Sequence, residues 1–387
     1  MGDTVQSKGI NRAQFLARAA AVGVAATSGA FLAPGRAGAE GRTAEPEPRV
    51  GNGPGLTHRG VCYEVGAGET PQTGWSAARM REDLRVIKDE LHAGSITVFG
   101  DGIDRLAATS REAAERGLHI WLQPRLGDRP EREILDHLAE TGRHAERLRR
   151  QGARVHLSVG CEFALYVPGI VPGDNVLERV ENMLSGKFDP QLTARRLREF
   201  IARSAAVGRS VFRGRTTYGA AHGDEVDWGL FDIVSVNYYG YFPRRADHVR
   251  ELTGYRRWGK PVAISEFGTC TYVGAPERGG MGWKTVDYSK PEPEVVGDLV
   301  RSERTQAAYL TDMLDVFESM DLYAAMVYTF VSPDSPHSSE PRHDLDMAGY
   351  SIVKTIRTTG GGATADWHWE PKEAFHALAR HYGRARC

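Results

Sequence analysis

Two glutamates each close a short apolar run and are candidates for paired acid-base work. Val155-His156-Leu157-Ser158-Val159-Gly160-Cys161 leads into Glu162, and Pro261-Val262-Ala263-Ile264-Ser265 leads into Glu266, which Phe267 and Gly268 follow. A carboxylate at the tip of a buried strand sits where a barrel enzyme keeps its chemistry. Two such carboxyls about 5–5.5 Å apart can share one glycosidic bond, one attacking the anomeric carbon while the other protonates the leaving oxygen. A lone glutamate at a strand end is ordinarily solvated or ion-paired. Two in matching contexts on facing strands are the more specific signal.

The elements needed to position them are legible as alternating short β-branched or aromatic runs and longer amphipathic stretches. Strands are predicted at 60–64, 95–99, 119–123, 154–161, 215–218, 233–237, 262–265 and 324–328. Between them, helices are predicted over 76–90, where Met80, Leu84, Ile87 and Leu91 share a face, and over 302–320, where Tyr309, Leu310, Met313, Leu314 and Phe317 do. Gly117 and Gly259 suit helix C-caps, and the last helix is predicted to start at Pro371. Eight such βα units imply an α/β fold of the (β/α)8, or TIM-barrel, type over residues 60–387. A doubly wound sheet would need a phosphate loop after its first strand, and Val65-Gly66-Ala67-Gly68-Glu69-Thr70 lacks the Lys-Ser/Thr and the acidic ribose reader.

In such a barrel, the residues closing each strand are the ones to inspect. Glu64, Asp101, Gln123, Arg125, Tyr218, His222, Asn237, Tyr239, Tyr328 and Phe330 join the two glutamates there, while Tyr238 is expected in the barrel wall. Carboxylates, amides and flat rings are what sugar hydroxyls and pyranose faces require. Trp75, Trp283, Trp367 and Trp369 are further stacking candidates, and the long loops 269–300 and 331–366 are expected to enclose a cleft.

On these residues the chain resembles the retaining glycoside hydrolases of clan A. Pro261 to Gly268 is similar to that clan's nucleophile strand, Asp232 to Tyr239 to its sixth strand with an aromatic beside the nucleophile, and Ala324 to Phe330 to its last strand. Val159-Gly160-Cys161-Glu162 is most similar to a β-mannanase branch in which a small residue precedes the acid. The resemblance implies Glu266 as nucleophile, Glu162 as acid/base and an oligo- or polysaccharide with β-linked sugars as substrate. Cys161 departs from the clan, whose members mostly place asparagine there to hold the sugar 2-hydroxyl. A thiol is a poor hydrogen-bond partner, so either Asn237 or Arg125 takes over that contact or the barrel, with little or no catalysis, binds carbohydrate or serves a cell-surface role. Tyr328-Thr329-Phe330 also stands where a tryptophan platform is common.

Composition narrows the remaining classes. The chain has 387 residues, 41% hydrophobic, with a net charge of -1, which gives no electrostatic footprint for nucleic acid. The thirteen histidines form no His-x-x-x-His or Cys-His cluster and the four cysteines fit no zinc spacing, so no metal or other cofactor is expected. No Gly-x-Ser-x-Gly elbow is present. Residues 1–39 read as an export signal: Lys8 and Arg12, an Ala-rich run to Leu32, then Ala37-Gly38-Ala39 as a cleavage site. Asn11 to Leu16 resembles a twin-arginine motif with Ala13 in place of the second arginine, and residues 40–59 read as a disordered linker. A secreted or extracytoplasmic mature protein without a membrane span is expected, the apolar run being shorter than the ~20 residues that a bilayer helix needs.

Overall fold

The computed structural model describes residues 55–66, 75–357 and 367–384. The export signal, most of the linker and the cleavage site lie outside the described residues. Among the described residues, no helix is long and apolar enough to cross a membrane.

Eight parallel strands form the barrel: β1 (His58–Glu64), β2 (Ser95–Gly100), β3 (His119–Pro124), β4 (Val155–Cys161), β5 (Thr216–Gly219), β6 (Val234–Asn237), β7 (Val262–Phe267) and β8 (Ala324–Val327). Their order, β5-β4-β3-β2-β1-β8-β7-β6, brings the first strand beside the last. The two ends of that sheet meet: the Ala220 amide donates to the Ser235 carbonyl at 3.2 Å and the Asn237 amide to the Ala220 carbonyl at 2.8 Å. The sequence reading of a (β/α)8 barrel therefore holds. Most of the strands are buried at every position, the small polar residues and histidines of β2 and β4 included, because helices cover one face and the barrel interior the other.

The outer ring is made of α1 (Ala77–Asp89), α2 (Ile103–Glu115), α3 (Glu131–Arg150), the short α4 (Phe163–Tyr166), α5 (Val176–Leu184), α6 (Pro190–Val211), α7 (Arg245–Thr253), α8 (Glu303–Ser319) and α9 (Glu373–Arg384). Ser76 and Ser302 cap α1 and α8 by accepting the Arg79 and Thr305 amides, so the expected starts at 76 and 302 are the caps themselves. Asp189 caps α6, with Pro190 in its first turn. Gly117 follows α2 at φ 70° and Gly259 follows a 3-10 turn at φ 62°, left-handed positions that glycine adopts without strain.

Two expectations fail. The segment between β5 and β6 holds a single 3-10 turn, Trp228–Leu230, where the repeat calls for an α-helix. It is short and rich in turn-forming Gly and Asp, and Asp227 caps its own turn by accepting the Gly229 amide. The last helix starts at Glu373, because Pro371 ends a strand, Trp367–Pro371 (β10), that pairs antiparallel with Val353–Arg357 (β9). This hairpin covers α1: the Trp369 indole donates to Asp83 Oδ1 at 2.8 Å, and the Tyr63 hydroxyl donates to Asp83 Oδ2 at 2.7 Å. Below it, fully buried Lys372 bonds Asp346 at 3.0 and 3.1 Å and Thr271 at 2.9 Å, tying the β7 and β8 loops to the start of α9.

Candidate active site

The end of the barrel where the strands finish is shaped by irregular strand tips. Pairing shifts register between Ser158 and Cys161 on β4 and between Val236 and Asn237 on β6, and such irregularities re-aim side chains where strands end. Beyond β4, Glu162 takes a left-handed backbone (φ 41°, ψ 51°), a conformation costing a non-glycine residue about 1–3 kcal/mol. The surroundings hold it there: its amide donates to the Gly219 carbonyl at 2.8 Å, and the next amide, of Phe163, donates to the Tyr218 hydroxyl at 2.8 Å. Gly160 is required because a Cβ there would sit 2.2 Å from the Phe163 ring.

β6 and β7 bring the second glutamate to the first. Asn237 is in register with Glu266, and its Nδ2 donates to Glu162 Oε1 at 2.9 Å and approaches Cys161 Sγ at 3.3 Å. Its Oδ1 accepts from the Ser265 hydroxyl at 2.8 Å, which fixes the amide's orientation. On Glu266, Arg125 Nη2 donates to Oε1, the Tyr239 hydroxyl donates to Oε2 at 2.9 Å, and the Cys161 thiol lies 3.6 Å from Oε1. Arg125 is itself held by Gln123 Oε1 at 2.7 Å and lies 4.1 Å from the Phe99 ring centroid.

The electrostatics separate the two carboxyls. Both are buried, at 3% exposed for Glu162 and 2% for Glu266. Burial, and then the negative charge of Glu266, raises the Glu162 carboxyl to about 8; the Asn237 bond acts against this. Glu162 is therefore a neutral acid at neutral pH, while three donors converge on Glu266 and complement a negative charge. Burial also pushes the Cys161 thiol well up, so Cys161 is a neutral thiol.

Other expected residues are distributed as follows. Tyr328 is in the site, stacked on Phe99 (5.9 Å between centroids, 28°) and edge-on to Tyr239 at 6.5 Å, and the charge of Glu64 at the tip of β1 reaches it. Asp101 follows β2, where its backbone carbonyl meets the His137 ring at 2.9 Å. His222 pairs with Glu251 of α7 at 2.8 Å, outside the carboxylate network. Phe330 is a correction to the expected substrate wall: it is fully buried between Tyr63 and Trp369, under the β9–β10 hairpin. Trp367 and Trp369 belong to that same outer packing, and Trp75 packs against the outer core. Tyr238 likewise faces outward, bonded to His248 of α7 at 2.8 Å.

Of the four candidate tryptophans, Trp283 is the one in the buried cluster that holds Tyr166, Tyr239, Tyr272, Tyr328 and Tyr350. Sequence reasoning passed over Tyr272 and Tyr350 because they lie in loops without a hydrophobic period, and over Tyr166 because it ends the four-residue α4, which is too short to show one. Cys62, Cys161 and Cys270 are free and buried, each with its own partner: the Ser265 carbonyl, the carboxylate network and the Ala348 carbonyl.

No protein-family model matches the chain, and no curated protein does. Among solved structures the chain is similar to β-glucuronidase 2 of Bacteroides uniformis, at 15% identity over 84% of this chain and 35% of that one, with a TM-score of 0.46. It thus spans about a third of that enzyme's length. It is also similar to a broad-specificity endoglucanase from Clostridium longisporum (10% identity, 84% and 96% of the two chains, TM-score 0.47). A β-glycosidase from Pyrococcus horikoshii matches at 10% identity over 85% and 94% of the two chains, with a TM-score of 0.48.

Proposed function

We propose that this chain is a retaining glycoside hydrolase of β-linked sugars, with Glu266 as nucleophile and Glu162 as acid/base. The observation that carries the reading is the division of charge across one hydrogen-bonded network: a buried neutral Glu162 and a Glu266 met by Arg125, Tyr239 and Cys161. Tyr239 and Arg125 orient Glu266 so that one oxygen attacks the anomeric carbon, while Glu162 gives its proton to the leaving oxygen. Forming the glycosyl ester removes the negative charge of Glu266. One of the causes holding the Glu162 proton then disappears, and Glu162 can act as base toward water in the second step.

Asn237 and Arg125 both lie 3.3 Å from Cys161 Sγ, where they supply the donors that the thiol lacks. The aromatic cluster around Tyr239, Tyr328 and Trp283 suits the apolar faces of pyranoses. Labelling by a 2-deoxy-2-fluoro-β-glycoside with an activated leaving group, followed by peptide mass spectrometry, tests the assignment. The adduct is expected on Glu266; an adduct on another residue, or inverted product stereochemistry by NMR, overturns it.

The second reading, a barrel that binds β-linked sugar without cleaving it, draws on the direct ion pair between Arg125 and Glu266, which occupies a nucleophile oxygen. It predicts heat of binding in calorimetry with no covalent adduct. We also propose export through residues 1–39, with a mature chain beginning at Glu40, which the intact mass of exported protein tests.

A further inference from the structure

At the opposite end of the barrel from the carboxylates, the first residues of three strands bring three imidazoles together. His58 opens β1, His119 opens β3 and His156 is the second residue of β4; all are buried, and one ring nitrogen of each lies within 4.8 Å of the others. The rings meet edge-on, His58 to His119 at 4.2 Å and 77°, His119 to His156 at 4.3 Å and 66°, so they do not stack. Trp121 and Tyr323 wall the group in.

The hydrogen bonding of this group is incomplete. His58 Nδ1 meets the Ser95 hydroxyl at 3.2 Å and His156 Nε2 meets the Tyr323 hydroxyl at 2.8 Å. His58 Nε2, His156 Nδ1 and both nitrogens of His119 are buried without a hydrogen bond; the Val155 carbonyl is near His156 but makes none with Nδ1. Buried polar atoms left unpaired cost about 1–3 kcal/mol each, and four on three adjoining rings call for an occupant.

We propose that His58, His119 and His156 form a binding site for one divalent transition-metal ion, with Zn2+ the best match to the donors, on the floor of the barrel. The two hydroxyl contacts are what ligating imidazoles use: each takes the N–H of one ring nitrogen and leaves the other nitrogen's lone pair for a metal. Tetrahedral Zn–N bonds of about 2.0–2.1 Å place ligand nitrogens about 3.3 Å apart, a separation that the three rings reach with small side-chain rotations. A water molecule would fill the fourth position. Hard cations are excluded by the donor set: there is no carboxylate among the three ligands, and the positive charges of Arg154 and Arg215 reach the rings. Coordination to imidazole nitrogen, rather than net charge, has to supply the affinity.

The site is structural. Glu162 lies six residue steps beyond His156 along β4 and its tip, roughly 20 Å at ~3.3 Å per residue, so the ion is remote from the proposed hydrolysis. It would instead pin β1, β3 and β4 together at the end of the barrel where conservation of stability, not chemistry, is the rule.

The test uses untagged full-length protein, dialysed against Zn2+ and then freed of unbound ion. Elemental analysis is expected to give about one zinc per chain, and His119→Gln is expected to lose it while keeping the parent's circular dichroism. Melting of the parent should rise by about 3 °C at a hundredfold excess of Zn2+ over its Kd and fall back with chelator, with no change in His119→Gln. Co2+ loading of the parent adds a readout independent of the variant: the intense visible bands of a four-coordinate ion are expected. A parent that binds no zinc, or a His119→Gln variant that folds and binds as much, overturns the proposal. So does a parent that melts at the same temperature with and without zinc and stays colourless with Co2+, the behaviour of histidines bridged by ordered water only.

Discussion

Glu162→Gln offers the sharpest test of the charge assignment, because glutamine copies a protonated glutamate and cannot ionise. In the folded protein burial and Glu266 raise the Glu162 carboxyl from the ordinary 4.5 to about 8. The folded state therefore holds a proton that the unfolded chain has released anywhere between those values, and stability falls as pH rises through that window. The contribution is fully present below about 4.5 and gone above about 8. At ~1.36 kcal/mol for each pH unit, the total is roughly 5 kcal/mol, with no discount for solvent because the group is buried. For a chain of this length, at ~2.1 cal/mol/K of unfolding entropy per residue, that is roughly 6 °C in Tm.

Glu162→Gln should accordingly melt close to the parent near pH 5 and roughly 6 °C above it near pH 9. The groups acting on Glu162 are Glu266, Arg125, Asn237 and Asp224. Asp224 itself is raised by burial to about 7 and titrates in the same window, so Asp224→Asn is the background in which to repeat the comparison. Calorimetric scans of both proteins across the pH range are the assay. A gap in Tm that is the same at pH 5 and pH 9 would refute the reasoning, since it would mean that Glu162 does not change its protonation between those limits. The same substitution should spare hydrolysis of aryl glycosides whose leaving group needs no proton.

Tyr239→Phe removes the 2.9 Å bond to Glu266 Oε2 and should lower kcat roughly 10–100-fold, the worth of a hydrogen bond to a charged group, with KM little altered; unchanged turnover would remove Tyr239 from the orientation of the nucleophile. Cys161→Asn should lower turnover, because an amide put where Arg125 and Asn237 already point, each 3.3 Å from the sulfur, crowds two donors; a clear rate gain would show that the 2-hydroxyl contact had been lost and not rebuilt. Lys372→Met should destabilise the fold by about 3 kcal/mol in denaturant titration, the low end for breaking a buried ion pair, because Arg301 remains 2.9 Å from Asp346; a loss under about 1 kcal/mol would mean that Arg301 suffices alone.

The fold was legible in the sequence where one physical signal dominated. Barrel strands are rich in β-branched and aromatic residues, so 95–99, 119–123 and 262–265 stand out as short runs of that kind, each within one or two residues of the observed strand. Ser76 and Ser302 announced their helices because a hydroxyl before an amphipathic run has one obvious use, accepting a first-turn amide. The β5–β6 connection misled because the eightfold repeat was extended over a segment whose Gly and Asp residues argue for turns. Pro371 misled because proline before a helical period marks a helix start and a strand end equally well.

Side-chain partnerships across the barrel were a different matter. Glu162 and Glu266 could be named because each ends its own strand, and Arg125 and Asn237 because they too sit at strand tips. Nothing local says that Arg125 turns to Glu266 rather than outward to a sugar, since that choice depends on the Phe99 ring beneath it and on Gln123 beside it, residues on different strands. The same reason hid the floor of the barrel. His58, His119 and His156 match no metal spacing, because spacing rules detect ligands carried by one helix or loop, whereas a closed parallel sheet gathers its interior from strands far apart in sequence. In a barrel, a polar residue at the start of an apolar strand therefore has to be compared with the starts of the other strands, just as residues at the ends are compared with each other. On that comparison three of the first four strands begin with a histidine at the first or second position, and the convergence follows from the closure of the sheet.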